Sequence, residues 1–443
     1  MKSIYYIFLT ACLAVFAYAV YRDIRYGKDF SGDLRNRVVA ARLEKDGRLP
    51  YFYKWRQGDG VRYYDPQSFD SLVVSNMTAT PFFHQLLYPL ADRDEQEING
   101  WWLFIEYLML LLMTGMAFSL AGTDLQRCAV LGISCLFLLT DAWKNHVFVG
   151  EYYLCIPFLA MAFYFFIRKR PTVFRALMAG TMAILLVLIR PNAIFFFVPF
   201  LFLLSTYNRR HLFFFFVPIL LLTAWTVLDT KERALWQDYR LAMGEHFKEH
   251  QGLHPAVQRN DPGPDYPRWE GVDVAALDKE EINNPMNQHS ENGNVFVIAR
   301  DLLHWKMPPS LLLILSLCTV FLLTVLFYFF RVRQGNYDPA VVAILGFCLY
   351  MISDLFSPVF RHQYYTVQWI FPLLLAGAIY RPAFRWPFRL IVFGLLLNIS
   401  KISFIKMQHT IGEYLILAAL MLLVLSYKWM DTPGPATSKP MIN

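Results

Sequence analysis

The segment Gly32-Asp33-Leu34-Arg35-Asn36-Arg37 lies between a short apolar N-terminal run and a long chain in which apolar runs predominate. Apolar residues recur at roughly helical spacing after Asp33, whereas Arg35 and Arg37 fall on other sides, which predicts an amphipathic helix. Asp is a good N-cap residue, so its plainest role is to start this helix. A polar segment in this setting predicts a folded loop, from Lys28 to Leu90, at the mouth of a membrane domain.

The composition indicates an all-α polytopic membrane protein. Of 443 residues, 56% are hydrophobic and 17% charged, and this chain is too apolar for a soluble domain. The net charge of +7 resides in short links between apolar runs, which indicates the positive-inside pattern and argues against a nucleic-acid partner. The six cysteines lie in or beside apolar runs, so we expect neither disulfides nor a cysteine metal site: Cys12, Cys128, Cys135, Cys155, Cys318 and Cys348.

The apolar runs predict about twelve transmembrane helices. The first covers 4–20, and although Ala17-Tyr18-Ala19 resembles a signal-peptide cleavage site, we favour a retained anchor. The others cover 100–122, 128–140, 152–167, 176–189, 193–206, 212–228, 309–330, 340–356, 364–380, 388–400 and 412–427.

The basic links place the remaining segments on opposite sides of the membrane. Residues 1–20, 100–228 and 308–428 then contain the membrane helices, and 429–443 form a cytoplasmic tail. Residues 21–99 and 229–307 form two large extracytoplasmic loops. Several prolines between Pro255 and Pro267 indicate irregular structure in the second loop. The chemistry is expected on this face, and Asp29 or Asp33 in the first loop is a candidate general base.

The segment 141–151 is the second concentration of polar groups outside the apolar runs. It holds Lys144, His146 and Glu151 between two predicted spans. Ionisable side chains at the ends of membrane helices also lie at the interface without any further role, which is an equally good explanation of Lys144. Glu151 stands directly at the entry to the next span and is harder to explain in that way.

The segment 357–365 is the third, and it contains Arg361 and His362. Asp354 precedes it inside a predicted span, where an ionised carboxylate costs about 2.5–3.5 kcal/mol and therefore requires a partner or a water-lined position. Arg361 and His362 suit an anionic phosphate, although such a pair is often only an interfacial anchor. Arg190, in a break between two spans, is expected on the same side.

Several short motifs together resemble glycosyltransferase family 87. They are Asp33 after the first span, a Gly-x-x-Pro-Tyr turn from Gly47 to Tyr51, a Thr-Pro segment at Thr80-Pro81, Gly150-Glu151 entering a span, and Ser-Pro-x-x-x-His from Ser357 to His362. The resemblance covers roughly residues 1–380. The chain departs from the family in Glu151, where an amide is frequent, and in Arg361, where an aromatic residue is common.

The resemblance implies a GT-C-type bundle and an inverting transferase that moves one sugar, typically mannose, from a polyprenyl-phosphate carrier to an acceptor hydroxyl on a lipid or glycan. It makes Asp33, with Asp29 as the second candidate, the base that takes the acceptor proton. Arg361, His362 and Arg190, with Lys144 and His146, are expected at the donor phosphate. Glu151, Tyr51 and Asp354 are expected at the substrates.

The expected setting is a bacterial inner membrane with the site facing the periplasm. We predict no cofactor, because beyond Asp29 no dense carboxylate cluster accompanies Asp33, although some GT-C enzymes use a divalent metal. Two alternatives remain open. One is a cell-envelope oligosaccharide polymerase or ligase, which uses a diphosphate-linked donor. The other is a lipid or sugar transporter (flippase), to which broken helices and charges at membrane depth are also suited.

Overall fold

The protein is helical throughout the residues described, with loops and turns between the helices. The computed structural model describes residues 2–26, 32–53, 55, 57–65, 77–205, 207–250, 293–333, 338–358, 361–399 and 407–426. Asp29, the prolines between 255 and 267 and the predicted tail 429–443 lie outside these residues.

The described residues form eighteen α-helices. They are α1 (Lys2–Tyr26), α2 (Gly32–Lys45), α3 (Pro81–Leu86), α4 (Glu95–Leu120), α5 (Asp124–Leu138), α6 (Asp141–Val149), α7 (Cys155–Ile167), α8 (Val173–Ile189), α9 (Ile194–Phe197), α10 (Leu201–Leu204), α11 (Arg209–Leu228), α12 (Thr230–His250), α13 (Val295–Leu303), α14 (Pro309–Phe327), α15 (Pro339–Leu355), α16 (Ile370–Ala378), α17 (Arg385–Leu397) and α18 (Gln408–Ser426). Shorter 3₁₀ turns occur between them, of which Gln363–Trp369 is the longest.

Several of these helices have the length and apolarity needed to cross a membrane. Within the described residues five pass that test: Tyr5–Arg25, Glu95–Leu120, Arg209–Leu228, Pro309–Val332 and Gln408–Ser426. A sixth span results if α5 and α6, which meet at a 58° bend, are one broken helix. Four shorter apolar helical segments complete the set: Cys155–Ile167, Val173–Ile189, Pro191–Leu204 and Pro339–Leu355. The protein is therefore a helical membrane protein, and the total of about twelve spans stays a prediction.

The centre of the bundle is formed by α15 and α16. Nearly every residue of α15 and all of α16 are buried, although their apolar composition alone does not separate them from the outer helices. By contrast, α11 and α14 carry exposed apolar side chains such as Phe213, Leu221 and Phe321. Exposed apolar side chains on long apolar helices are those expected to contact lipid, so these two helices lie at the periphery.

The predicted amphipathic character of α2 is wrong. Every residue from Leu34 to Leu43 is buried, including the arginines that the sequence pattern places away from the core. Arg35 donates from Nε to the carbonyl oxygen of Tyr64 at 2.6 Å and forms an ion pair with Glu95. Arg42 donates to the carbonyl oxygen of Ala91 at 2.6 Å. Buried charges require such partners, and the polar segments around α2 supply them.

The second large loop also differs from the prediction in its first part. Residues Thr230–His250 form the 21-residue helix α12 instead of irregular structure. The reason lies in its composition, since Lys231, Glu232, Arg233, Ala234 and Leu235 favour helix and the first proline comes only at position 255. The helix packs against α3 through a hydrogen bond from Gln85 Nε2 to Glu232 Oε1 of 2.6 Å.

Candidate functional site

A buried carboxylate–guanidinium contact joins α2 to the segment before α7. Asp33 lies in the first turn of α2 and is half-buried. Arg37 follows one turn later on the same face, and its Nη2 donates to Glu151 Oε2 at 2.8 Å. The Asp33 carboxyl is hydrogen-bonded to the carboxyl of Glu151 as well. Two carboxyls and one guanidinium therefore meet at the start of α2.

Glu151 reaches this position because α6 ends in a tight left-handed turn. Gly150 has φ 68° and ψ 48°, a conformation that glycine adopts without strain. The N–H groups of Gly150 and Glu151 both donate to the carbonyl oxygen of His146, at 3.0 and 3.1 Å. The chain therefore reverses direction sharply after α6, and Glu151 is directed toward α2.

The environment of Glu151 favours its protonated form. Burial raises the pKa of this carboxyl, Arg37 lowers it and the neighbouring Asp33 carboxylate raises it, and the net result is a pKa of about 8. At neutral pH the Glu151 carboxyl therefore retains a proton, which it can donate to Asp33. The contact is a carboxyl–carboxylate pair beside a cation.

His362, which is distant in sequence, faces the Asp33 carboxylate. Its ring stacks on that of Tyr364 with 5.1 Å between centroids and an interplanar angle of 17°. The ring is solvent-accessible although protein surrounds it densely, so it lines a crevice. Burial lowers the pKa of His362 and the Asp33 carboxylate counteracts this. The imidazole is therefore neutral at neutral pH. His246 of α12 faces His362 across the crevice.

A second group of charges is buried beside the first. Asp354 accepts hydrogen bonds from Arg190 Nη2 at 2.6 Å and from Arg361 Nε at 2.8 Å. Arg361 also donates from Nη1 to Glu413 Oε2, and Trp369 donates to the other oxygen of Glu413 at 2.6 Å. Asp354 thus has the partners that its depth requires. Two arginines and two carboxylates make this network formally neutral.

Gly293 and Asn294, near the end of the second large loop, contact this network and the residues beside it. A Cβ added to Gly293 would lie 2.7 Å from Glu413 Oε2 and 3.6 Å from Arg361 Nη1. Tyr414 donates its hydroxyl to the carbonyl oxygen of Gly293 at 2.9 Å, and the Asn294 side chain donates to the carbonyl oxygen of Ser357. Glycine is therefore required at this close approach, which fixes the chain before α13.

A series of aromatic rings connects the two groups of charges. The rings of Tyr153 and Tyr365 are 4.0 Å apart, and Tyr364 lies 6.1 Å from Tyr153. The guanidinium of Arg190 is 5.4 Å from the Tyr153 ring, and that of Arg361 is 5.5 Å from the Tyr365 ring. Cation–π contacts of this kind hold the arginines against the ring faces. The two charged groups and the rings thus form one continuous site.

The remaining predicted residues lie outside this cluster. Lys144 is partly exposed and donates to Asp141 at 2.7 Å, one turn earlier on α6. The ring of His146 is fully buried, with Nδ1 at 3.0 Å from Glu106 Oε1 on α4. Tyr51 donates its hydroxyl to the carbonyl oxygen of Ala79 at 2.7 Å and fixes the loop before α3. Asp29 lies outside the described residues.

Arg37 and Glu413 are the charged members of the site that sequence reasoning missed. Arg37 is recognisable in retrospect because it follows Asp33 by four residues, the spacing that places two side chains on the same helix face. Tyr doublets also follow both Glu151 and His362 in the sequence, at 152–153 and 364–365. Glu413 lies inside the predicted run 412–427, so the argument that singled out Asp354 applies to it as well, although its partner Arg361 is distant in sequence.

An apolar groove of about 770 Å³ lies between α1 and α4, away from these charges. It is lined by residues such as Phe16, Val20 and Leu103, with Gln96 and Asn99 toward the N-terminal end of α4. None of the site's charged residues lines it. Glu95 links the groove to α2, because it precedes the groove residue Gln96 and is paired with Arg35 of α2.

Among the described residues, no three carboxylate, imidazole or thiol groups lie close enough together to hold a metal ion, and the prediction on cofactors stays a prediction. Comparisons with protein-family models, with curated proteins and with solved structures give no match to this chain. The class of the protein therefore rests on its own helices and on the site described above.

Proposed function

We propose that the protein is an integral-membrane inverting glycosyltransferase of the GT-C type, which moves a hexose, mannose in the first instance, from a polyprenyl phosphate to an acceptor hydroxyl on a lipid or glycan. The observation that carries this proposal is the meeting of Asp33 with Glu151, Arg37 and His362 in one crevice. A carboxylate and a buried cation at the same point are the two groups that such a transfer requires.

Asp33 serves the acceptor hydroxyl, and Arg37 serves the leaving phosphate. Asp33 takes the proton of the acceptor hydroxyl as its oxygen attacks the anomeric carbon, and the carbon–oxygen bond to the phosphate breaks. Negative charge then develops on the leaving phosphate. Arg37 is suited to this charge because its Nε and Nη1 atoms have no hydrogen-bond partner within the described part of the chain. His362 adds a neutral N–H donor across the crevice.

Arg361 has a different role in this proposal from the one that the sequence suggests. It is held by Asp354 and Glu413, so most of its charge is already compensated inside the protein. It orients the segment that carries His362, Tyr364 and Tyr365, and only its Nη2 atom lacks a partner among the described residues. The principal phosphate contact therefore moves from Arg361 to Arg37.

The apolar groove between α1 and α4 supports a lipid-linked substrate. Its walls are apolar side chains of two helices long enough to span a membrane. A polyprenyl or acyl chain is apolar along its length and remains within the bilayer, so its head group must be processed at a membrane surface. In this proposal the site faces the periplasm of a bacterial inner membrane, and the basic links between spans support the extracytoplasmic orientation alone.

The test is transfer of label from radiolabelled polyprenyl-phosphate mannose to a membrane-lipid extract by the purified protein in lipid. Asp33→Asn is expected to lower the rate about 100-fold or more, which is the usual size of a general-base contribution. Asp124→Asn is the matched control, because Asp124 is exposed and, within the described residues, pairs with Arg127 at the start of α5. It is expected to leave transfer unchanged.

Two results would contradict the proposal. Transfer that survives Asp33→Asn at nearly the native rate would remove Asp33 from its role as base. No consumption of any donor in a panel of polyprenyl-phosphate sugars would remove transferase activity altogether. A diphosphate-linked oligosaccharide consumed in their place would indicate a polymerase or ligase, and movement of an intact lipid between leaflets would indicate a flippase.

A further inference from the structure

We propose that Asp33 and Glu151 act as one carboxyl pair that shares a proton, and that this pair, held against Arg37, receives the proton of the acceptor hydroxyl. Asp33 touches the substrate, whereas Glu151 is a positioning residue that acts through Asp33. The inference rests on the proposed function for its catalytic part. The shared proton itself is a property of the folded protein that is measurable without any substrate.

The geometry of the contact supports a pair over a lone base. Glu151 is 2% exposed and Asp33 half-buried, and their carboxyls are hydrogen-bonded to each other. Two ionised carboxylates in direct contact repel strongly in a poorly solvated site, so one of them retains a proton. Arg37, 2.8 Å from Glu151 Oε2, provides one positive charge. The positive charge of Arg37 balances the single negative charge that the Asp33–Glu151 pair carries when it holds one proton.

The pair also couples the acceptor to the leaving group through charge. Before reaction, Arg37 carries one positive charge, the pair one negative charge and the phosphodiester one negative charge. As the acceptor oxygen bonds to the anomeric carbon, its proton passes to Asp33. The electron pair of the broken carbon–oxygen bond stays on the phosphate, which becomes a dianion. The pair is then neutral, and the charge of Arg37 is released to the leaving phosphate.

Other titratable and charged groups face this pair from the elements packed around it. They are Arg37 on α2, Tyr152 and Tyr153 after α6, and His362, Tyr364 and Tyr365 before α16, while His146 on α6 faces Arg37. His362 is the group among them that titrates nearest to neutral pH, and its pKa is lowered. A change in rate on the alkaline side therefore does not arise from His362.

The first measurement is an infrared titration of the full-length protein in lipid, without substrate. We expect a carbonyl-stretch band from a protonated carboxylic acid at neutral pH that disappears as the pH rises past about 8. The part of the band that disappears near pH 8 should be absent in Glu151→Gln, whereas absorption from other buried carboxyls, such as Glu106 beside His146, should remain. The part that disappears near pH 8 should persist in the matched control Glu413→Gln, which removes a carboxyl that is also buried and also paired with an arginine.

The second measurement is the pH dependence of sugar transfer. Native transfer should fall about tenfold or more above pH 8, because a doubly ionised pair neutralises Arg37 and opposes the leaving phosphate. In Glu151→Gln this alkaline fall should disappear, whereas a merely structural loss would lower the rate equally at every pH. Glu413→Gln should retain the native alkaline fall, whatever its rate.

The outcomes separate the two proposals. The band together with the altered pH profile supports the carboxyl pair. Transfer without the band, and with parallel pH profiles for the native protein and Glu151→Gln, overturns the pair and leaves the glycosyltransferase intact. The band without transfer from any donor overturns the glycosyltransferase and the catalytic role of the pair, and leaves the shared proton established. If Glu151→Gln does not fold, Glu151→Asp provides the same test through a shifted midpoint.

Discussion

Replacement of Asp354 by Asn should destabilise the protein strongly. Asp354 is 1% exposed and accepts hydrogen bonds from two arginines, so the substitution leaves one positive charge uncompensated in the network with Arg190, Arg361 and Glu413. Removal of one partner from a buried ion pair costs about 3–5 kcal/mol, because the remaining charge is desolvated and unpaired. We expect a loss of free energy of unfolding in this range.

The physical reason is tested by a second substitution. Arg190→Gln in the Asp354→Asn background restores the charge balance, since Arg361 and Glu413 still pair. The double variant should therefore be more stable than Asp354→Asn alone by about 1–3 kcal/mol, a coupling energy typical of residues in one network. Arg190→Gln alone should destabilise, because it leaves Asp354 with one cation where it had two.

The assay is unfolding in mixed micelles by increasing denaturing detergent, followed by tryptophan fluorescence. Trp369 donates to Glu413, so its emission contributes to the signal together with that of the other ten tryptophans, which report global unfolding. Asp124→Asn serves as the surface control and should lie within about 0.5 kcal/mol of the native protein. A loss below about 1 kcal/mol in Asp354→Asn, or a double variant that loses the sum of both single losses, would refute the reasoning.

Three further predictions follow from single contacts. Gly293→Ala should destabilise the protein by about 1–3 kcal/mol in the same assay, because its Cβ would displace Glu413 from Arg361. An unchanged unfolding midpoint would contradict the close approach of Gly293 to Glu413. Gly150→Ala should cost about 1–2 kcal/mol at φ 68°, and Gly150→Asn distinctly less, so equal losses would exclude a backbone cause. The raised pKa of Glu151, about 8 against an ordinary 4.5, stabilises the fold fully below pH 4.5. This stabilisation, roughly 5 kcal/mol in total at about 1.4 kcal/mol per pKa unit, should be lost as the pH rises to 8, and a native slope equal to that of Glu151→Gln would disprove it.

The helical framework followed from the sequence, because apolar runs report lipid-facing and buried helices alike. Each predicted run corresponds to a helix or to consecutive helical segments. The environment of α2 did not follow. Helical spacing placed Arg35 and Arg37 away from the core, yet both are buried. Periodicity describes one helix, whereas their burial depends on Glu95 and Glu151, which lie far along the chain.

The site was predicted in part for the same reason. Asp33, Glu151, Arg190, Asp354, Arg361 and His362 were singled out because polar groups at the ends of apolar runs are unusual. The structure brings these six together. Lys144, His146 and Tyr51 were equally unusual, but Lys144 pairs with Asp141 one turn earlier on α6, and the partners of His146 and Tyr51 lie in distant segments that local sequence does not reveal. Arg37 was not predicted, because α2 contains several charged residues and only the contact with Glu151 distinguishes Arg37 from the others.

The contact between Glu413 and Arg361 has a consequence for biosynthesis. Glu413 belongs to α18, the last helix described, whereas Asp33 belongs to α2 near the beginning of the chain. During synthesis Asp33 is therefore present long before the segment that carries Arg361 and His362 has all of its contacts. A ribosome-bound intermediate that lacks α18 would hold Arg361 with one carboxylate fewer. The group of charges around Arg361 is thus completed only after α18 has been synthesised and has packed against the segment before α16.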